Sequence, residues 1–115
     1  MAPRIRRVGK ATVVDLSGRI TFGVSVAELH DLVRELADEG NIRLVLNFKD
    51  VTYIDSSGIG ELVSAHNYLH GRGGQLKLVY LSTNIRDTFL VSKLSTIFDM
   101  ADSEEAAIAS FGSGS

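Results

Sequence analysis

An acid and two hydroxyl residues stand side by side between an apolar run and a helical pattern. Asp55, Ser56 and Ser57 form this short segment, which Gly58 ends. Asp and Ser are common at the start of a helix, because a side-chain oxygen at the N-cap accepts a hydrogen bond from an unpaired backbone N–H. One such residue is enough for a cap, whereas this segment has three. The surplus indicates a binding or modification site.

Two glycines follow in the first turn of the predicted helix. Gly58 and Gly60 each cost about 1 kcal/mol relative to alanine inside a helix, so helix stability does not explain them. A missing side chain lets another protein or a phosphate approach the backbone closely, and the amides of a helix N-terminus attract negative charge. The segment therefore predicts a site for a partner protein or a phosphate.

The elements that position this site follow from the spacing of apolar residues. Residues 4–8 and 11–17 alternate as strands do, and Gly9-Lys10 between them is typical of a type II′ hairpin turn. The arginines of the first strand alternate with apolar residues. This alternation favours a solvated strand face over a surface for lipid or nucleic acid.

A helical pattern begins at Val24. Ser25 and Glu28 have the spacing of a capping box, and the apolar residues that follow share one face. We expect this helix to run to about Asp38 and to stop at Gly40.

The next strand and helix flank the site directly. Residues 44–48 suit a central strand that is covered on both faces, and the chain should then cross the surface to reach the site. The helix that follows should end at Gly71. The residues expected on or near its inner face are Ile59, Leu62, Val63, His66 and Leu69.

The last third of the chain completes the alternation. Residues 76–80 predict a fourth strand, and Ser82-Thr83-Asn84 should open a third helix that buries Ile85 and Phe89. A short strand is expected near Ile97-Phe98, and the last helix should be capped by Asp102 or Ser103.

The element order β-β-α-β-α-β-α-(β)-α predicts an α/β fold. Its mixed sheet should have four to five strands, with about four helices, and its later strands should be parallel. One domain over residues 1–111 fits this length, followed by a disordered tail at residues 112–115. Partners of such sheets tend to meet the loops at the carboxyl ends of the strands.

Three stretches of the sequence share a recognisable pattern. They are Leu44-Val45-Leu46-Asn47-Phe48, the run from Val51 to Gly60, and the run from Gly73 to Val79. Together they resemble the STAS domains, and among them the bacterial anti-sigma factor antagonists. The order of elements over about residues 4–111 agrees, so the resemblance implies one STAS domain.

The resemblance also implies a function. In the family, the first serine after the acid is phosphorylated, which corresponds to Ser56 here. The unphosphorylated protein binds an anti-sigma factor that is also a serine kinase, and so frees a sigma factor. Phosphorylation breaks that complex, and a phosphatase restores it. The expected partner contacts are Asp55, Ser57, Gly58, Ile59, Gly60 and Thr21.

One position departs from the family pattern. Antagonists often carry an acid shortly after the glycine that ends the second strand, whereas here Gly18-Arg19-Ile20 is followed by Thr21. The identity of the kinase is therefore open. A second function also stays open, in which the domain docks on a transport ATPase as a subunit of a membrane transport complex.

The overall composition excludes several classes of function. With 12 basic and 14 acidic residues, the 115-residue chain has no broad attraction to nucleic acid. The absence of cysteine excludes disulfide frameworks and thiolate metal sites and fits a reducing compartment. No apolar run approaches the roughly 18 residues needed to cross a bilayer. We expect a cytoplasmic protein without membrane insertion or a nucleic-acid partner, and a homodimer stays open.

Three other candidate sites have simpler structural explanations. His66 and His70 are one helical turn apart, but no third metal ligand is evident. The glycine-rich residues 71–74 follow a helix and precede a strand, unlike a phosphate-binding loop. Ser56 lacks the first glycine of a G-x-S-x-G nucleophile motif and has no evident base. We therefore expect no metal, no cofactor and no enzymatic activity.

Overall fold

Strands and helices alternate along the chain in the predicted order, and the α/β fold class is confirmed. The computed structural model describes residues 2–91 and 93–113. The strands are β1 (Arg4–Val8), β2 (Ala11–Ile20), β3 (Arg43–Ile54), β4 (Gln75–Val79) and β5 (Asp99–Ala101). The α-helices are α1 (Val24–Asp38), α2 (Ser56–His70), α3 (Thr83–Val91) and α4 (Glu104–Ser113), and a 3₁₀ turn at Leu94–Thr96 precedes β5.

The five strands form one sheet in the order β1-β2-β3-β4-β5. β1 is antiparallel to β2, and the remaining neighbours are parallel. Each crossover helix therefore returns the chain to the adjacent strand. As a result α1, α2 and α3 share one face of the sheet, where they pack into the larger core, and α4 covers the other face.

The continuous apolar run of β3 is explained by these two layers. Leu44, Leu46 and Phe48 belong to the larger core beneath α1, α2 and α3. Val45 points to the opposite face and packs with Phe111 of α4. Because successive side chains of a strand alternate between faces, a central strand covered twice has no polar face in its middle.

Polar contacts hold α4 against the second face. Arg6 of β1 donates to Asp15 of β2 at 2.8 Å and to Glu104 of α4 at 2.6 Å. The hydrogen bonds and charge of Arg6 lower the pKa of Asp15. Nearby, the buried Lys77 donates to Asp99 at 3.0 Å. Charged groups therefore flank the smaller apolar core, between the sheet and α4, on both sides.

Several strand boundaries differ from the sequence-based expectation. β2 continues past the expected residue 17 to Ile20, and β4 lies one residue earlier than the expected 76–80. β3 does not end at residue 48 but continues to Ile54, because its last residues pair with the end of β2, where Ile20 lies opposite Ile54. The last strand begins at Asp99, after the expected Ile97-Phe98, since the 3₁₀ turn first delivers Phe98 into the larger core.

The predicted turns and caps have mixed outcomes. Gly9 has φ of 61° in the hairpin, and Gly40 has φ of 95° after α1, as their predicted roles require. Ser103 caps α4 by accepting from the Ala106 N–H at 3.1 Å. The capping box of Ser25 and Glu28 is wrong, because Gly23 is the N-cap of α1.

The end of the chain is more helical than expected. α4 continues to Ser113 and so includes the first two residues of the tail predicted at 112–115. Residues 114 and 115 lie outside the described part of the chain. Within that part, no helix is long and apolar enough to span a membrane.

Phe111 should be the main anchor of α4. The Phe111→Ala variant should lose about 3–5 kcal/mol of unfolding free energy, because the side chain is 5% exposed and its removal leaves a cavity. Ala109→Gln on the exposed side of the same helix is the control, with an expected change within about 0.5 kcal/mol. Urea unfolding of both variants measures the difference, and equal midpoints would contradict this role of Phe111.

Candidate functional site

The Asp55 side chain begins α2. Asp55 is the N-cap residue, and its Oδ1 accepts a hydrogen bond from the Gly58 N–H at 2.8 Å. The predicted cap is thus confirmed and assigned to the acid. Since Asp55 directly follows β3, the site lies at the carboxyl end of the parallel strands.

The second oxygen of the same carboxylate reaches a different element. Oδ2 of Asp55 accepts from the Phe22 N–H at 2.9 Å, and the Asp55 N–H donates to the Ile20 carbonyl at 3.2 Å. One residue therefore ties the β2–α1 loop to the start of α2. The hydrogen bonds from Phe22 and then Gly58 lower the pKa of Asp55, because they stabilise its charged form.

The β2–α1 loop is also fixed from within. Ser25 Oγ accepts from the Thr21 N–H at 2.9 Å and donates to the Thr21 carbonyl at 3.0 Å. This is the role that Ser25 takes in place of the predicted cap. Gly23 has φ of 111°, a conformation that favours glycine, which lets the chain turn into α1. Thr21, a predicted site residue, is a half-buried residue of this loop.

Ser56 is the first residue of α2, and it is exposed to solvent. Its hydroxyl makes no hydrogen bond to the described residues. Its neighbour Ser57 is half-buried. The structure thus separates the two serines by exposure.

The two glycines of the first turn have different surroundings. A Cβ on Gly58 would lie 2.6 Å from the Ile20 carbonyl oxygen and 2.6 Å from Ile54 Cγ1. The close approach that this glycine allows is therefore internal, between α2 and the ends of β2 and β3. A Cβ on Gly60 would have no atom within 4 Å, and Gly60 is exposed. Ile59, between them, is half-buried.

Exposed apolar side chains lie near this turn. Phe22 is 83% exposed, Val24 is 77% exposed and Tyr53 is 45% exposed. The Arg19 guanidinium lies over the Tyr53 ring, 4.6 Å from its centroid.

A buried charge cluster joins α1 and α2. Glu61 is 8% exposed, and its carboxylate contacts His30 Nδ1 at 2.9 Å and Arg34 Nη1 at 3.1 Å. Arg34 also donates a hydrogen bond to Ser64 Oγ at 2.7 Å. Because His30 faces Glu61, it is not placed as a base for Ser56. No periodic pattern predicts this cluster, since its members are polar residues of two helices.

The two histidines of α2 belong to no metal-binding cluster in the described residues. The rings of His66 and His70 stack at 5.9 Å, and no group of three or more metal-binding side chains is found there. A groove of about 550 Å³ lies between α3, β5 and α4. It contains none of the predicted site residues.

The sequence matches a known family over most of its length. A family model described as the STAS domain matches residues 2–107. The anti-sigma-B factor antagonist of Bacillus subtilis is 32% identical over 96 residues, which cover 83% of this chain and 85% of that protein.

Solved structures share the fold. The anti-sigma factor antagonist SpoIIAA in its unphosphorylated form gives a TM-score of 0.73 at 21% identity, covering 99% of this chain and 100% of that chain. The Bacillus cell fate determinant SpoIIAA in its phosphorylated form gives 0.72 at 24% identity, covering 96% and 99%.

The two glycines of the site should respond oppositely to alanine. Gly58→Ala should destabilise the fold by about 1–3 kcal/mol, because the added methyl group meets Ile20 and Ile54. Gly60→Ala, the matched control, should stabilise it by about 0.5–1 kcal/mol, since the new side chain meets open space. Thermal or urea unfolding measures both. A Gly58→Ala variant as stable as Gly60→Ala would show that the contact is absent.

The Asp55 carboxylate should stabilise the fold in a pH-dependent way. Its pKa is lowered in the folded protein, so its contribution is complete above the ordinary carboxyl pKa of about 4 and is lost as the pH falls through the lowered value. The gap in urea midpoint between wild type and Asp55→Asn should therefore be larger at pH 7 than at pH 3. Asp31→Asn, an exposed acid of α1, controls for the loss of one charge. A gap that does not change with pH would refute the assignment.

Proposed function

The chain belongs to the STAS domain family, among its anti-sigma factor antagonists, and we propose that Ser56 is the phosphorylation switch by which it binds and releases an anti-sigma factor. One observation carries this proposal. Ser56 is an exposed residue at the first position of a helix whose start is fixed by Asp55, and its hydroxyl makes no hydrogen bond to the described residues. A kinase can reach the hydroxyl without any opening of the fold.

A phosphate at Ser56 would act directly on a bound partner. A phosphoserine carries about −1.5 to −2 charges at neutral pH. At about 6 Å from a partner carboxylate, with an effective dielectric constant of about 40, the repulsion is roughly 2–3 kcal/mol. That corresponds to about a hundredfold loss of affinity. Phosphorylation is then sufficient to separate the two proteins.

The same phosphate would leave the domain folded. Ser56 is exposed, and negative charge is stabilised at a helix N-terminus. SpoIIAA, whose fold this chain shares, has been solved in an unphosphorylated and in a phosphorylated form. The switch therefore changes the surface rather than the fold.

The finer steps of the proposed function follow the family. The partner is an anti-sigma factor that is also a serine kinase, its capture frees a sigma factor, and a phosphatase resets the switch. The protein acts in the cytoplasm as a binding module and not as an enzyme. The proposed partner contacts are Asp55, Ser57, Ile59, Gly60 and Thr21, with Gly58 supporting them from its buried position.

The alternative function is not favoured. A subunit of a membrane transport complex would use the same surface for static docking on an ATPase. The relative that is 32% identical over most of both chains is named an anti-sigma factor antagonist.

Phosphorylation should occur at Ser56 and not at Ser57. The purified protein is incubated with ATP and each anti-sigma kinase of its own genome, and the modified residue is identified by mass spectrometry. Ser56→Ala should abolish phosphate incorporation, whereas Ser57→Ala, the matched control, should retain it because Ser57 is half-buried. Incorporation that survives Ser56→Ala would contradict the assignment.

The charge should control binding. The anti-sigma factor that binds the unphosphorylated protein should bind Ser56→Asp about tenfold or more weakly, because the substitution adds a negative charge at the switch position. Calorimetry measures both affinities. Ser56→Asn, which is similar in size and neutral, is the control and should bind more tightly than Ser56→Asp. Equal affinities of the two variants would exclude an electrostatic switch.

A further inference from the structure

Two exposed apolar side chains flank Gly23, and neither has a role in the fold. Phe22, in the β2–α1 loop, is 83% exposed, and Val24, the first residue of α1, is 77% exposed. A single exposed apolar residue is ordinary, but a phenylalanine and a valine on either side of one glycine form an apolar patch. Folding buries neither of them. They gain from burial only when another molecule covers them.

Asp55 holds the patch in place. The Phe22 N–H donates to Asp55 Oδ2 at 2.9 Å, and Asp55 Oδ1 caps the helix that starts with Ser56. Ser25 fixes the adjoining Thr21 through two hydrogen bonds. A loop that is already ordered loses little conformational entropy on binding. The patch is therefore preorganised, and one carboxylate links it to the serine.

A cation without a carboxylate partner lies beside the patch. Arg19 is exposed, and its guanidinium lies 4.6 Å from the centroid of the Tyr53 ring. Among residues 2–91 and 93–113, no carboxylate comes within 4.0 Å of it. A guanidinium stacked on a ring keeps its N–H groups free to donate to a carboxylate in its plane. Arg19 and Tyr53 are paired in register at the ends of β2 and β3, next to Asp55.

We propose that Phe22, Val24 and Arg19 form the recognition surface for the anti-sigma factor, whose matching surface has an apolar pocket beside a carboxylate. This inference rests on the proposed function and adds the chemistry of the partner. Phe22 fills the pocket, and Arg19 pairs with the acid. Because Asp55 holds both Phe22 and the start of α2, a phosphate on Ser56 would stand at the edge of the same contact.

The test uses the anti-sigma factor that binds the wild-type protein. Phe22→Ser should weaken the affinity by about tenfold to a hundredfold, and Arg19→Glu by at least about tenfold. Val91→Ser is the matched apolar control, since Val91 is 84% exposed but lies on α3. Arg7→Glu on β1 is the matched charge control. Both controls should bind as the wild type does, and unchanged urea midpoints should show that all four variants are folded.

A charge exchange tests the carboxylate directly. An acid of the partner, changed to lysine, should weaken binding to the wild type and restore binding to Arg19→Glu. Arg19→Gln should also reduce the salt dependence of the association rate. If no acid-to-lysine change on the partner's binding face restores binding to Arg19→Glu, the assignment of Arg19 is wrong.

The outcomes separate this inference from the function on which it rests. If Ser56→Asp weakens binding while Phe22→Ser and Arg19→Glu bind within about twofold of wild type, the surface is wrong and the switch stands. If Ser56→Asp has no effect but Phe22→Ser weakens binding, the surface stands and the switch is wrong. A wild-type protein that binds no anti-sigma factor overturns both.

Discussion

The carboxylate of Asp55 is the constraint on which the functional surface depends. Its two oxygens accept from backbone amides of two different elements, Gly58 in α2 and Phe22 in the β2–α1 loop. These elements are far apart in the chain. The carboxylate adds to the hydrogen bond between the Asp55 N–H and the Ile20 carbonyl and to the close packing of Gly58 on Ile20. Its loss would remove one hydrogen bond from each of the two elements.

The sheet provides the rigid base for that bridge. The middle of β3 is covered on both faces, and at the end of the strand Val51 and Ile54 are buried in the larger core. Gly58 then permits α2 to start in direct contact with the backbone of Ile20. The exposed Ser56 therefore stands on closely packed structure.

Local patterns predicted most of the fold. The order of elements, the Asp55 cap and the glycine stops depend on residues that are close in sequence, and spacing alone reveals them. The extension of β3 to Ile54 was missed because it depends on pairing with β2, more than 30 residues earlier, across irregular register at the end of that strand. The contact of Glu61 with His30 was missed for the same reason. For Gly58, the sequence predicted that another group approaches its backbone closely. The structure shows that this group is the Ile20 backbone of the same chain.

The open edge of the sheet at β1 has a consequence for behaviour at high concentration. β1 pairs with β2 on one side only in the described sheet, so its other side offers unpaired backbone groups to a second chain. Arg4 and Arg7 are exposed on this strand, and Lys10 is exposed in the turn that follows. Two such edges that met would bring these cations together. Like-charge repulsion therefore acts against edge-to-edge aggregation of the free protein at high concentration.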